Sequence, residues 1–122
     1  MNYVDVSDDG AAKGALVSQL SREIVQLHVR LHGRGPTKAR SYLQSDYAVC
    51  ILEEVFTTAE RTLIDAGSGD HVSDTRKKFQ DAVKDEFVGV VEQITGRTVR
   101  VFLSQVDVEA NLALEFFIFA GP

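Results

Sequence analysis

The stretch His32-Gly33-Arg34-Gly35-Pro36-Thr37-Lys38-Ala39-Arg40-Ser41-Tyr42-Leu43-Gln44-Ser45-Asp46-Tyr47 decides the reading of the fold, because a helix must end in it and a hairpin must begin. Gly33 is the expected left-handed stop of a preceding helix. Gly35-Pro36 breaks the chain before an extended segment from Thr37 to Gln44. Ser45-Asp46 then reads as a tight turn into a second extended segment, Tyr47 to Val55. If Gln44 faces Tyr47, the pairs run Tyr42 with Val49, Arg40 with Ile51 and Lys38 with Glu53.

Upstream, Leu16, Leu20, Ile24, Leu27 and Leu31 recur at spacings of three and four and lie on one helical stripe. Downstream, Thr57 and Glu60 have the spacing of a capping box for a short helix ending near Gly67. Val72, Phe79, Val83, Phe87, Val90 and Ile94 then predict one long helix from about Asp70 to Thr95, with Gly96 as its stop. Val99, Val101 and Leu103 alternate with Arg100, Phe102 and Ser104 in a third strand, and Leu112 to Phe119 forms a fourth. The order helix-strand-strand-helix-helix-strand-strand gives an α+β fold, a mostly antiparallel four-stranded sheet packed with helices. Residues 1–10 are expected to be a flexible N-terminus and residues 11–122 a single α+β domain.

At 122 residues the chain suffices for one hydrophobic core, and 44% hydrophobic with 25% charged residues is the composition of a soluble globular protein. The net charge of −5 disfavours nucleic acid as a partner, since phosphate recognition needs a broad basic surface. No stretch reaches the ~20 apolar residues of a membrane span. The first residues lack the pattern of a secretory signal, and the lone Cys50 excludes an internal disulfide, so the cytoplasm is the expected compartment.

One segment inverts the acidic balance. No acid lies between Glu23 and Asp46, a window that holds Arg30, Arg34, Lys38 and Arg40. These four and Gly35 are the candidate site: guanidinium groups and turn amides suit a small anion, such as bicarbonate or phosphate, or an acidic partner loop. The structural alternative is a helix C-terminus that favours cations, followed by cross-strand ion pairs.

In Phe116-Phe117-Ile118-Phe119 bulky apolar groups occupy both faces of the last strand, where a sheet covered on one side should alternate with polar residues. Phe102, Phe117 and Phe119 are therefore candidates for a homodimer or partner surface, unless a helix covers each side. His28 and His32, four apart on the first helix, are candidate imidazole ligands for a metal, against a plainer role at a helix end. Glu53 and Glu54 are strand neighbours on opposite faces and do not converge. Cys50 lies amid apolar residues as a buried, inert thiol. No catalytic constellation and no cofactor motif is legible, so an enzyme is not expected.

Val29 to Tyr42, Thr58-Ala59-Glu60-Arg61-Thr62-Leu63, Asp85-Glu86-Phe87 and Thr95-Gly96-Arg97-Thr98-Val99 together resemble the MpsC family, in order from about Ser18 to Phe119. Gly-Arg-Gly-Pro-Thr-Lys-Ala-Arg is the most specific block. The resemblance implies a small bacterial protein without membrane spans of its own, associated with a membrane-potential-generating system whose membrane subunits look like inorganic-carbon or cation transporters. It implies an accessory or regulatory role, peripheral to the inner face of the membrane, with a membrane transport subunit as partner. It supplies no catalytic residues. Ser45-Asp46 stands where the family pattern has two acids, and Asp107 stands in a loop where histidine is frequent.

Overall fold

The computed structural model describes residues 10–121. Helix α1 spans Gly10–His32 and buries Leu20, Ile24 and Leu27, with Leu16 and Leu31 packed at the margin of the same stripe. The expected flexible segment lies, apart from Gly10, outside the described residues. Gly33 ends α1 at φ 78°, its N–H bonded to the Val29 carbonyl at 2.9 Å. Gly35 is required for a different reason: a Cβ there would stand 2.6 Å from Val29 Cγ2, so only glycine lets the chain fold back against α1.

Strands β1 (Lys38–Leu43) and β2 (Tyr47–Glu53) form the expected hairpin in the expected register, Tyr42 with Val49, Arg40 with Ile51 and Lys38 with Glu53. The Gln44 amide donates to the Tyr47 carbonyl at 2.8 Å and closes the turn. The Thr57–Glu60 capping box is complete and starts α2 (Thr58–Asp65).

The expected long helix is corrected to two, α3 (Gly69–Ala82) and α4 (Lys84–Thr95), divided at Val83 with φ −108° and ψ 13°. Asp85 and Glu86 thereby occupy the first turn of a new helix, where its dipole favours carboxylates. A break of one residue leaves the apolar spacing intact, so periodicity alone does not reveal it.

Strands β3 (Val99–Asp107) and β4 (Leu112–Phe119) complete a fully antiparallel sheet of order β1-β2-β4-β3. Asp107, expected in a loop, ends β3, and its Oδ1 accepts the Ala110 amide at 2.9 Å. Between β2 and β4 the register runs from Glu53 with Leu112 to Tyr47 with Ile118.

Burial alternates along β2 and β4. Ala48, Cys50, Leu52, Ala113, Glu115, Phe117 and Phe119 are buried on one face, against Leu20, Ile24 and Leu27 of α1 and Phe87 and Val91 of α4. Phe102 stacks between Phe117 and Phe87, with ring centroids at 4.8 and 5.7 Å. Each fully buried phenylalanine contributes about 1.5–3 kcal/mol. This parity corrects the expected partner surface: Phe117 and Phe119 lie in the chain's own core, and Phe102 is half-buried beside them. Among the described residues no helix is long and apolar enough to cross a membrane.

Candidate functional site

The structure disperses the basic segment. Arg30 Nη1 lies 3.3 Å from Glu86 Oε1 on α4, and Arg40 Nη2 lies 4.0 Å from Glu53 Oε2. Both pairs are exposed, so each contributes at most ~1 kcal/mol. Lys38 faces Glu53 across the hairpin, and Gly35 serves the close packing against α1. Arg40 borders an open groove of about 840 Å³ between α1 and β1, together with Arg22, Gln26, Pro36 and Thr37. Arg30, Arg34 and Lys38 do not border it.

The polar groups that do converge are buried on the helix side of the sheet. Glu115 of β4 is 1% exposed and His28 of α1 is 2% exposed. Gln80 Nε2 donates to Glu115 Oε2 at 3.0 Å and Ser104 Oγ donates to Oε1 at 3.0 Å. His28 Nε2 approaches Oε1 to 3.6 Å, beyond hydrogen-bond reach, and has no hydrogen-bond partner. Burial raises the pKa of Glu115 above the ordinary carboxyl value, although its neighbours favour the ionised form.

Arg76 stands beside this group on α3. Its Nε donates to Glu60 Oε2 at 2.7 Å, and its Nη2 donates to Glu60 Oε1 at 2.6 Å and to the Val55 carbonyl at 2.8 Å. The guanidinium also lies over the Phe56 ring, 5.4 Å from its centroid. Burial opposes ionisation of Glu60, but the Arg76 and Thr57 hydrogen bonds prevail and hold its pKa below the usual value. One carboxylate thus caps α2 and fastens α3 to it.

His32 lies 5.5 Å from His28 and 4.7 Å from Phe79, centroid to centroid, and its Nε2 is also buried without a hydrogen-bond partner. Burial, then the nearby Arg76 charge, lowers its pKa to about 4. The two imidazoles are therefore neighbours as the spacing implies, but among the described residues no cluster of three His, Cys, Asp or Glu side chains could hold a metal. Cys50 is buried, receives the Ser41 hydroxyl at 3.2 Å and has its pKa raised by burial to about 11, as an inert thiol should.

Between α3 and β3 the buried group borders a cavity of about 350 Å³, whose wall includes His28, Asp74, Lys77, Gln80, Ser104 and Glu115.

The opposite face of the sheet is more open, although Lys77, Asp81 and Lys84 border it on the β3 side, where they line a groove with Leu103, Leu114, Phe116 and Ile118. Its cross-strand rows, read from β1 to β3, are Lys38, Glu53, Leu112, Asp107; then Arg40, Ile51, Leu114, Gln105; then Tyr42, Val49, Phe116, Leu103; then Tyr47, Ile118, Val101. The charges gather in the first two rows, and the remainder is apolar or aromatic. Leu103 is 58% exposed and Tyr42 44% exposed. Tyr47 and Phe116 stack at 5.3 Å.

The family described as "Na+-translocating membrane potential-generating system (MpsC)" matches residues 12–121. The chain belongs to the MpsC family. The family's description thus links it to a Na+-translocating membrane-potential-generating system. No curated protein and no solved structure matches it.

Sequence reasoning missed the group around Glu115. Its signal was present in the strand parity, since Glu115 alternates with Ala113 and Phe117 on one face of β4.

Proposed function

We propose that this MpsC family chain is a non-enzymatic accessory protein of a membrane-potential-generating system, working by protein recognition through the open face of its sheet. The observation that carries the reading is the apolar character of that face, from Val49, Phe116 and Leu103 to Tyr47, Ile118 and Val101. Contiguous exposed apolar surface on this scale marks an interaction site.

The occupant we assign is a second copy of the chain. At ~4.8 Å between strands and ~3.3 Å per residue the face spans roughly 19 by 23 Å, about 440 Å² in plan, over half of the ~800 Å² per partner of a standard interface before side-chain relief is counted. A two-fold axis parallel to the strands lays β1 over β3 of the second copy, and β2 over β4, at the ~10 Å separation of packed sheets. Residues of one row then face each other, so Lys38 meets Asp107, Tyr42 meets Leu103 and Val49 meets Phe116. The face is self-complementary in charge as well as in apolar character. A small-anion module built on Gly33 to Arg40 has less support, because Arg30 and Arg40 already face carboxylates.

Light scattering on the wild-type protein and on Leu103→Asp tests this reading. Leu103 is exposed, so the substitution spares the core. The expected result is a dimer that the variant converts to monomer with its circular dichroism unchanged. A monomeric wild type that gains mass only with a membrane-system subunit would assign the face to that subunit instead. A mass unchanged by Leu103→Asp in either setting would remove the face from consideration.

A further inference from the structure

We propose that the cavity between α3 and β3 binds a small primary ammonium compound, with Glu115 and the His28 imidazole receiving its N–H groups. This site lies on the helix side of the sheet and does not depend on the dimer described above.

The charge pattern sets the class of ligand. The two cations at the cavity each have a partner outside it: Arg76 is held by Glu60 through paired hydrogen bonds, and Lys77 Nζ lies 3.2 Å from Asp81 in an exposed pair. Two carboxylates also border the cavity, Asp74 and Glu115. Asp74 forms no ion pair among the described residues, and Glu115 has only the long approach to His28. Both acids are thus without a close ion-pair partner, and an ammonium group placed beside them favours the ionised form of Glu115.

The donor pattern sets the group. Glu115 takes one hydrogen bond on each oxygen, from Gln80 and Ser104, and a carboxylate has about four acceptor positions. His28 Nε2 is an unpartnered, buried nitrogen at the same wall. An ammonium group carries three donors and no acceptor, so it satisfies the imidazole and the carboxylate together, with Asp74 at the more exposed rim. A metal ion would need further anionic ligands, and no such cluster occurs among the described residues. The volume of about 350 Å³, with Val106 in the wall, admits a short alkyl chain behind the nitrogen.

The test is a titration of wild-type protein with n-butylammonium chloride, followed through the imidazole ¹⁵N resonances of His28. Tetramethylammonium chloride supplies the charge without N–H donors, and sodium acetate supplies the opposite charge. We expect a saturable His28 shift with n-butylammonium alone, weakened about tenfold or more in Glu115→Gln, because a hydrogen-bonded charge pair is lost. Asp74→Asn, at an exposed position, should weaken binding by a few-fold and carries the same test if Glu115→Gln does not fold. Absence of a saturable shift, equal binding of tetramethylammonium, binding of acetate in its place, or undiminished affinity in Glu115→Gln would each overturn the assignment.

Discussion

Glu115 Oε1 on β4 and His28 Nε2 on α1 stand 3.6 Å apart with both side chains almost wholly buried. The gap is too long for a hydrogen bond, so the acid relies on the neutral donors Gln80 and Ser104. Burial outweighs the pull of these donors towards the ionised form and raises the pKa of the acid.

The pH dependence of Glu115→Gln follows. A carboxyl whose folded pKa is raised keeps its proton in the native state where the unfolded chain has lost it. Its contribution to stability is present below the unfolded carboxyl pKa and is lost as pH rises through the folded pKa. Glutamine has no such loss and retains an acceptor for either donor. Thermal melts between about pH 4 and pH 8 should show the variant's melting temperature rising relative to wild type as pH increases. A constant difference across that range would contradict the raised pKa.

His32 has the opposite sign. With a folded pKa of about 4 against the ordinary 6.5, the unfolded chain binds more protons between these values, and stability falls as pH drops through the window. The full shift converts to roughly 3 kcal/mol, which partial exposure reduces to about 1–2 kcal/mol. His32→Phe, beside Phe79, should flatten the stability profile between pH 6.5 and 4 relative to wild type. Parallel urea-unfolding profiles for the two proteins would refute this.

The hairpin was legible because its two-residue turn fixes the register of every later pair, and the closing Gln44 to Tyr47 bond bears that out. The division at Val83 was not, since one non-helical residue barely shifts the phase of the buried stripe. The parity of β4 was misread for a more instructive reason. Four apolar residues in succession carry no alternation, so Glu115 is the only local guide, and a charged residue is ordinarily taken to face solvent. Here it faces the core beneath Gln80 and Ser104, which turns Phe117 and Phe119 inward and leaves Phe116 and Ile118 on the open face. The same residue thus explains both the site that was missed and the surface that was misplaced.

Arg76 joins three elements, since it bonds Glu60 in α2 and the carbonyl of Val55 just beyond β2 while standing on α3. Its side chain is 5% exposed, so truncation strands a partly buried Glu60 carboxylate and an unpaired carbonyl. Arg76→Ala should cost about 3 kcal/mol in urea unfolding, and Glu60→Gln less, because the amide keeps one hydrogen bond to the arginine. Equal stability of Arg76→Ala and wild type would show that the network contributes nothing net.

The proposed two-fold places the β1 edge of the sheet over the β3 edge of the second copy, with Lys38 opposite Asp107 on both sides of the interface. Lys38→Asp should weaken dimerisation by about tenfold, as two rim ion pairs of ~0.5–1 kcal/mol become like-charge contacts. Asp107→Lys should do the same. The double exchange, Lys38→Asp with Asp107→Lys, should restore affinity, because attraction returns with its polarity reversed. Sedimentation equilibrium at low and high salt separates this from a folding defect, since rim attraction is screened by added salt while a damaged monomer is not repaired by a second substitution across the sheet. Additive rather than compensating losses would exclude this two-fold and require a different stacking of the same face.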